Sequence, residues 1–275
     1  MTTEFHAGGN GEPLVLLHGL TDTWRAWTPV LPMLERHHAV FAPTLPGHYG
    51  GEQYPKGMRL SIASTVDMLE RELDAREIER AHIAGNSLGG WFSLELAARG
   101  RALSVVALNP GGCWEYGIPA PRSIRLYFRR NYLLLNAGRL LGLLETVARR
   151  PRSRALALRE LVARPQGVSA AAAHAMFIGS LGCSVLNEAL RLAASGDMFG
   201  ELGPIDCPVR IAHGTKDRLI HWPEHYAGIR RRMPDADYLP LEGLGHVAMW
   251  DDPELVAHTI LELSAPDRTV QMAAA

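Results

Sequence analysis

Cysteine is scarce in this sequence. Cys113, Cys183 and Cys207 are three in number, unpaired by count and far apart, which excludes a disulfide framework and makes a reducing compartment the simpler reading. An excess of basic charge is missing as well: 275 residues carry a formal net charge of −1, so nucleic acid is not expected as a partner. No run reaches the roughly 18 uninterrupted apolar residues that span a bilayer, so no integral membrane segment is expected. The N-terminal "MTTEFHAGGNGEP" lacks the basic and apolar regions of a secretory signal, and the expectation is a soluble, cytoplasmic protein. Internal repeats and low-complexity segments are absent too. What remains is an ordinary globular composition, long enough for one large domain or a core with an insertion.

Apolar runs of strand length alternate with helical patterns along the first 110 residues. Pro13–Gly19, Ala39–Ala42, Ala81–Ala84 and the run "ALSVVALNP" read as strands buried on both faces. Trp24–Leu34, Ser61–Arg76 and the stretch through Ala98 read as helices, and Ile62, Val66, Leu69 and Leu73 share one face. This order specifies an α/β fold with a mostly parallel sheet covered on both sides. The alternation stops at Cys113. Residues 113–199 are expected to form a helical cap inserted between core segments 1–112 and 200–275, with helices over Arg122–Arg130, Tyr132–Arg149 and Ala170–Leu181. Strands then return at "PVRIAHG" and "ADYLPLEG", with helices over 221–233 and His246–Leu263. Residues from Ala265 onward are expected to fray.

The stretch "ERAHIAGNSLGGW" poses a chemical question. A strand runs straight into Gly85-Asn86-Ser87-Leu88-Gly89-Gly90, after which a helix begins. A turn this tight forces its apex into an unfavourable backbone conformation and demands small neighbours. Gly85 and Gly89 supply them. Ser87 is thereby raised above the carboxyl end of the strand, where open α/β sheets bind ligands, and the Leu88 N–H lies at a helix N-terminus. The competing reading is an ordinary glycine turn; the strand before and helix after favour a nucleophile.

A serine hydroxyl needs a base, itself oriented by an acid. In strand–turn–helix sites of this kind the order is Ser, acid, His. Asp217 follows the strand "PVRIAHG", and His246 follows the last strand. The other acid position, after the fourth strand, holds Asn109, which cannot act as a carboxylate. A second oxyanion donor is expected from the N–H of Leu20 in His18-Gly19-Leu20, with His18 itself structural. The catalytic candidates are therefore Ser87, Asp217 and His246, with Leu20 and Leu88 as backbone donors.

His18-Gly19-Leu20, Leu45-Pro46-Gly47-His48, Gly85-Asn86-Ser87-Leu88-Gly89-Gly90, Gly214-Thr215-Lys216-Asp217 and Gly245-His246 together resemble the α/β-hydrolase-fold serine hydrolases, esterase- or lipase-like with a helical lid. The resemblance implies an eight-stranded sheet with the lid inserted after the strand ending near Asn109. It also implies hydrolysis of a small hydrophobic ester without metal or cofactor. Thr44 and Tyr49 depart from the usual Asp-Xaa-Pro-Gly-Xaa-Gly turn, and few residues precede the first long strand, so the first hairpin is expected to be shortened. Related branches cleave carbon–carbon bonds of diketones, open lactones, transfer acyl groups or bind ligands without catalysis, and these readings stay open. The diketone branch often has tryptophan where Val247 follows His246. An Asp-nucleophile enzyme, such as an epoxide hydrolase, is disfavoured by the serine at the apex.

Three further signals are weaker. His221-Trp222-Pro223-Glu224-His225 matches an inverted zinc-protease pattern, but Pro223 suits a helix's first turn and leaves His221 outside it. Residues 122–164 hold eleven arginines and two glutamates. The reading preferred is a set of solvated basic faces over attraction to anionic substrates or a membrane surface, with Leu133, Leu134, Leu140 and Leu143 packing the lid on the core. Met176, Phe177 and Trp250 belong to pocket or core, and Cys113 reads as an inert buried thiol. The oligomeric state is left open.

Overall fold

The computed structural model describes residues 4–114 and 117–265. The long strands form because each is apolar at both parities, so that one side chain in two enters each face of the sheet. In β2 (Glu12–Leu17), Leu14 and Leu16 join one core cluster while Val15 and Leu17 join the other. In β5 (Ala102–Leu108), Val106 and Leu108 divide from Val105 and Ala107 in the same way. With β1 (Phe5–Gly8), β3 (His38–Pro43), β4 (Ala81–Asn86), β6 (Val209–Gly214) and β7 (Asp237–Leu241), they form a seven-stranded sheet. Its order is β1-β3-β2-β4-β5-β6-β7, parallel throughout except that β1 runs antiparallel to β3.

This is the α/β-hydrolase architecture with one correction to the strand number. Eight strands were implied; among the described residues there are seven, and a single short strand stands where a hairpin was expected. Three residues separate β1 from β2, so the chain steps past the start of β3 and leaves no length for a second antiparallel strand. The step is close. A Cβ at Gly9 (φ +75°) would lie 2.2 Å from the His38 carbonyl.

Helices cover both faces. α1 (Leu31–Leu34) and α10 (Pro253–Ser264) pack over Leu14, Leu16 and Val106, while α2 (Ile62–Asp74) and α3 (Leu88–Ala98) cover the other side. Ser61 caps α2 by accepting from the Ser64 N–H, and Ile62, Val66, Leu69 and Leu73 are buried as the periodicity requires. The expected helix over Trp24–Leu34 is broken into a 3₁₀ turn at Trp24–Trp27 and α1, because Pro29 and Pro32 interrupt the backbone hydrogen bonds. The expected helix from His246 likewise begins as a 3₁₀ turn, Ala248–Trp250, and restarts at Pro253 with Asp252 as its cap.

Between β5 and β6 the described chain is helical: α4 (Arg122–Leu140), α5 (Leu144–Arg149), α6 (Pro151–Leu158), α7 (Ala170–Gly182) and α8 (Leu186–Ser195). α4 runs on through Asn131 and ends before Gly142 (φ +65°), where two helices with a different break were expected. After β6, a 3₁₀ turn at Glu224–Tyr226 leads into α9 (Ala227–Arg232), where one continuous helix was expected. A further correction concerns the leucines. Leu133, Leu134, Leu140 and Leu143 do not pack on the core but are 64, 62, 82 and 44 % exposed. α4 is apolar on two sides, and Ile124, Tyr127, Phe128 and Leu135 already fill the inner one. The residues from 266 onward, expected to fray, lie outside the described chain.

Candidate active site

Ser87 sits between the end of β4 and the first residue of α3 with φ +57° and ψ −117°. A side-chain-bearing residue holds such a backbone only at a cost of about 1–3 kcal/mol, so its surroundings must enforce it. They do so through the backbone. The Ser87 N–H donates to the Leu108 carbonyl (2.9 Å), and the Ser87 carbonyl accepts from the N–H groups of Gly111 (2.9 Å) and Trp91 (3.3 Å). The neighbours must also be bare: a Cβ at Gly85 would lie 2.1 Å from the Gly89 carbonyl oxygen, and one at Gly89 would lie 2.1 Å from that of Leu17. Leu88 is the first helical residue, so its N–H has no acceptor within α3 and lies at the helix's positive end.

The loop after β2 abuts the serine from the other side. A Cβ at Gly19 would come within 3.1 Å of Ser87 Cβ, and Leu20 lines the cavity beside Ser87. His18 fixes this loop, as its position suggests. Its Nε2 accepts from the Leu45 N–H (2.9 Å), which places the ring proton on Nδ1, and that donates to the Gly19 carbonyl (2.8 Å). Burial first, and the neighbouring His48 second, hold its pKa well below the ordinary imidazole value. A neutral ring is the form this hydrogen-bond pattern requires.

Asp217 and His246 meet. His246 Nδ1–H donates to Asp217 Oδ2 at 2.7 Å, with both side chains buried. Asp217 Oδ1 accepts from the N–H groups of Leu219 (2.7 Å) and Ile220 (2.9 Å), so the carboxylate is held at both oxygens. With Nδ1 donating, neutral His246 presents an unprotonated Nε2. Ser87 and His246 both line a cavity of about 40 Å³, together with Gly19, Leu20, Asn131 and Phe177. A second, apolar lobe of about 50 Å³ opens on the other side of Ser87, between Leu20, Leu88, Phe128 and Phe199, with Arg125 the charged residue among those described at its wall.

Four residues that sequence reasoning passed over or set aside support this arrangement. Asn109 (φ +45°) donates from Nδ2 to the carbonyls of Gly245 (3.1 Å) and His246 (2.9 Å), and its Oδ1 accepts from the Gly214 N–H (2.7 Å). Asn86 donates to the same His246 carbonyl at 2.9 Å. Asp251 accepts from Gly245 N–H (2.7 Å), Ala163 N–H (3.0 Å) and Arg164 N–H (2.6 Å), joining the His246 loop to the end of the helical segment. Asp22 lines the cavity and accepts from the Thr23 N–H (2.8 Å); burial raises its pKa from 3.8 to about 6. A positive φ at Asn109 leaves no mark in the sequence, whereas Asp22 in "HGLTDTW" was open to notice.

The remaining candidates separate cleanly. Met176 and Phe177 line the cavity, whereas Trp250 packs among the apolar clusters. Cys113 is fully buried, its Sγ donates to the Pro110 carbonyl (3.2 Å), and burial pushes the thiol pKa far up, as an inert cysteine requires. In the zinc-like pattern, the His221 N–H donates to His225 Nδ1 at 2.9 Å, a local turn contact.

Comparison with known proteins follows the same lines. The model of a family described as "Alpha/beta hydrolase family" matches residues 14–259. The epoxide hydrolase EphH of Mycobacterium tuberculosis is 31% identical over 202 residues, covering 73% of this chain and 94% of that protein. A 2-hydroxy-6-oxo-2,4-heptadienoate hydrolase of Pseudomonas putida is 41% identical over 100 residues, which is 35% of this chain and 36% of the relative. Among solved structures, the meta-cleavage product hydrolase of Pseudomonas fluorescens IP01 superposes with a TM-score of 0.67 at 18% identity, over 94% of this chain and 93% of that one.

Proposed function

Because the chain belongs to the α/β hydrolase family, we propose that it is a serine hydrolase that cleaves a carboxylic ester with a fairly hydrophobic acyl or alcohol part. The observation that carries this reading is the buried 2.7 Å contact of Asp217 with His246, whose side chain lines one cavity with the left-handed apex Ser87. His246 Nε2 takes the Ser87 proton as Oγ attacks the ester carbonyl. The tetrahedral oxyanion is received by the N–H groups of Leu20 and Leu88. Asp217 keeps the ring in the tautomer that exposes Nε2 and stabilises the imidazolium. The imidazolium then gives its proton to the departing alcohol, leaving an acyl-enzyme. Water attacks that ester with its proton passing to His246, and Ser87 leaves with the proton returned. Residues 113–199 act as the lid over this site, and the apolar lobe beside Ser87 receives the hydrophobic part of the substrate.

A serine nucleophile argues against epoxide opening, the activity in the name of the mycobacterial relative. A carboxylate that opens an epoxide forms an ester, which water can cleave. A serine would form an ether, which it cannot. Carbon–carbon hydrolysis is the second reading, and a specific observation favours it: Arg125 lines the otherwise apolar lobe next to Ser87 and could pair with the carboxylate of an acidic diketone. The same triad would serve.

Ser87→Ala is the test. Hydrolysis of p-nitrophenyl esters of graded chain length should fall by roughly 10⁴-fold or more, and a fluorophosphonate should label the parent protein at Ser87. Unchanged turnover in the variant would overturn the assignment. A parent protein that binds ligands tightly yet resists the probe would instead be a non-catalytic member of the fold. A ring-fission diketone cleaved faster than any ester would move the assignment to the second reading.

A further inference from the structure

Beyond the site, the helical segment carries a surface that neither the core nor the cavity uses. Leu126, Leu133 and Leu140 recur every seven residues along α4, on one side of the helix and about 10 Å apart. They are 60, 64 and 82 % exposed, and Leu134, Leu141 and Leu156 extend the same apolar surface. An isolated exposed leucine is ordinary; a continuous row of them on one helix face is not.

The charge around this row is of one sign. Residues 122–164 hold eleven arginines against two glutamates, on a chain whose formal net charge is −1. Arg130 pairs with Glu160 and Arg149 with Glu145, which uses both acids. Among the described residues, Arg122, Arg129, Arg150 and Arg152 are exposed and form no ion pair. A basic helix face with leucines at its centre complements a surface that is anionic at its polar layer and apolar just beneath. Charge also selects among occupants. A second copy would set two such basic faces against each other, and an acidic protein surface would offer carboxylates with scattered apolar atoms but no continuous apolar layer beneath them for the row of leucines.

The face is continuous with the site. A groove of about 500 Å³ runs between α4, α5 and α6 past Leu134, Gly138, Val147 and Leu156. Tyr127, Asn131, Leu135 and Phe177 stand at its floor and also line the cavity in front of Ser87.

We propose that the outer face of α4, with the loop after it and Leu156, is a docking surface for anionic phospholipid bilayers. Unpaired arginines meet headgroup phosphates, the leucines enter the interface, and the groove faces the acyl chains. The surface would engage one leaflet; no single helix among the described residues is long and apolar enough to cross a membrane. Docking does not require that the reading of Ser87 be correct.

The test is flotation of the purified chain with vesicles of phosphatidylglycerol and phosphatidylcholine, against vesicles of phosphatidylcholine alone. Binding to the anionic vesicles should exceed binding to the neutral ones by about tenfold or more, and should fall as salt rises from about 0.05 to about 0.5 M. Leu133→Glu with Leu140→Glu should abolish binding, and Arg129→Glu with Arg150→Glu should weaken it by about tenfold or more, both with unchanged circular dichroism. All four sites are exposed and outside the catalytic cavity, so hydrolysis of a soluble short-chain ester should stay at the parent level. No binding of the parent chain to anionic vesicles would overturn the proposal, as would binding that both variants retain. Dimers in sedimentation velocity that Leu133→Glu with Leu140→Glu dissolves would overturn it too, by assigning the face to a second copy.

Discussion

Desolvating a carboxyl group without a cationic partner favours its protonated form, and Asp22, half-buried at the cavity wall, is such a group. Its one hydrogen bond from the Thr23 N–H opposes the shift, but burial dominates and leaves the pKa at about 6, above its ordinary 3.8. Between these two values the folded protein holds a proton that the unfolded chain has released. Asp22 therefore contributes stability that is complete below about pH 4 and is lost as pH rises through about 6. Asp22→Asn keeps the acceptor for Thr23 and removes the charge. The variant should melt higher than the parent at pH 8, by an amount on the order of 2–3 kcal/mol, and about equally at pH 4. Thermal unfolding at the two pH values reads this directly, and a parent-minus-variant difference independent of pH would refute it. The same residue lines the cavity that holds Ser87, so a group that costs stability at neutral pH stands at the wall of the candidate site.

At the scale of elements, the ends of three adjacent strands meet at one amide. Asn109 closes β5, and through three hydrogen bonds it holds the end of β6 at Gly214 and the carbonyls of Gly245 and His246 beyond β7. Asn109→Ala would take this partner from the Gly214 N–H and the Gly245 carbonyl and leave Asn86 alone on the His246 carbonyl. The expected cost is about 2–4 kcal/mol in denaturant unfolding, with kcat for the best ester falling more than KM rises, because the His246 loop loses its tether. A variant as stable and active as the parent would show that Asn86 alone holds the loop. Asn109 also marks where the sequence stops being legible. As a possible acid it could only be dismissed; its use depends on three strand ends meeting, which no local pattern encodes. Strands β2 to β7 were readable because runs such as Leu14–Leu17 and Val105–Leu108 are apolar at both parities, and the Ser87 corner was readable because glycine is required on each side. Phe5–Gly8 was not, since four residues of mixed polarity become a strand only by pairing with β3. The polar-rich α6 and the short α8 were also missed. On α4 the periodicity was plain, but a helix apolar on two sides does not say which side faces in.

On the scale of the whole molecule, the two faces of the sheet are each filled by a large apolar cluster, while the helical segment has a smaller one of its own. That third cluster gathers Leu135, Leu144, Ala148, Leu158, Val162, Val168, Ala173 and Phe177; Leu161 and the Val247 N–H to Leu161 carbonyl bond (2.8 Å) join it to the core, which α4 and α8 enter directly through Ile124, Tyr127, Phe128 and Leu186. The cavity before Ser87, about 40 Å³, has room for only about three water molecules. A substrate that fills more than this space needs α4, α6 and α7 to part from the loop carrying Leu20, and the part of the helical segment with its own small core is the part best able to move. Amide hydrogen exchange should then resolve two levels of opening. Residues 144–158 should exchange through openings at least about 100-fold more frequent than those exposing β2, β4 and β5, and phosphonylation of Ser87 should alter the rates of the helical segment while leaving the strands unchanged. Because Asp251 bonds the His246 loop to Ala163 and Arg164, Asp251→Asn should widen the gap between the two levels by loosening that loop along with the segment while the strands stay closed. Exchange of the helices and strands at one common rate would mean that the segment opens only on global unfolding and would refute this two-level opening.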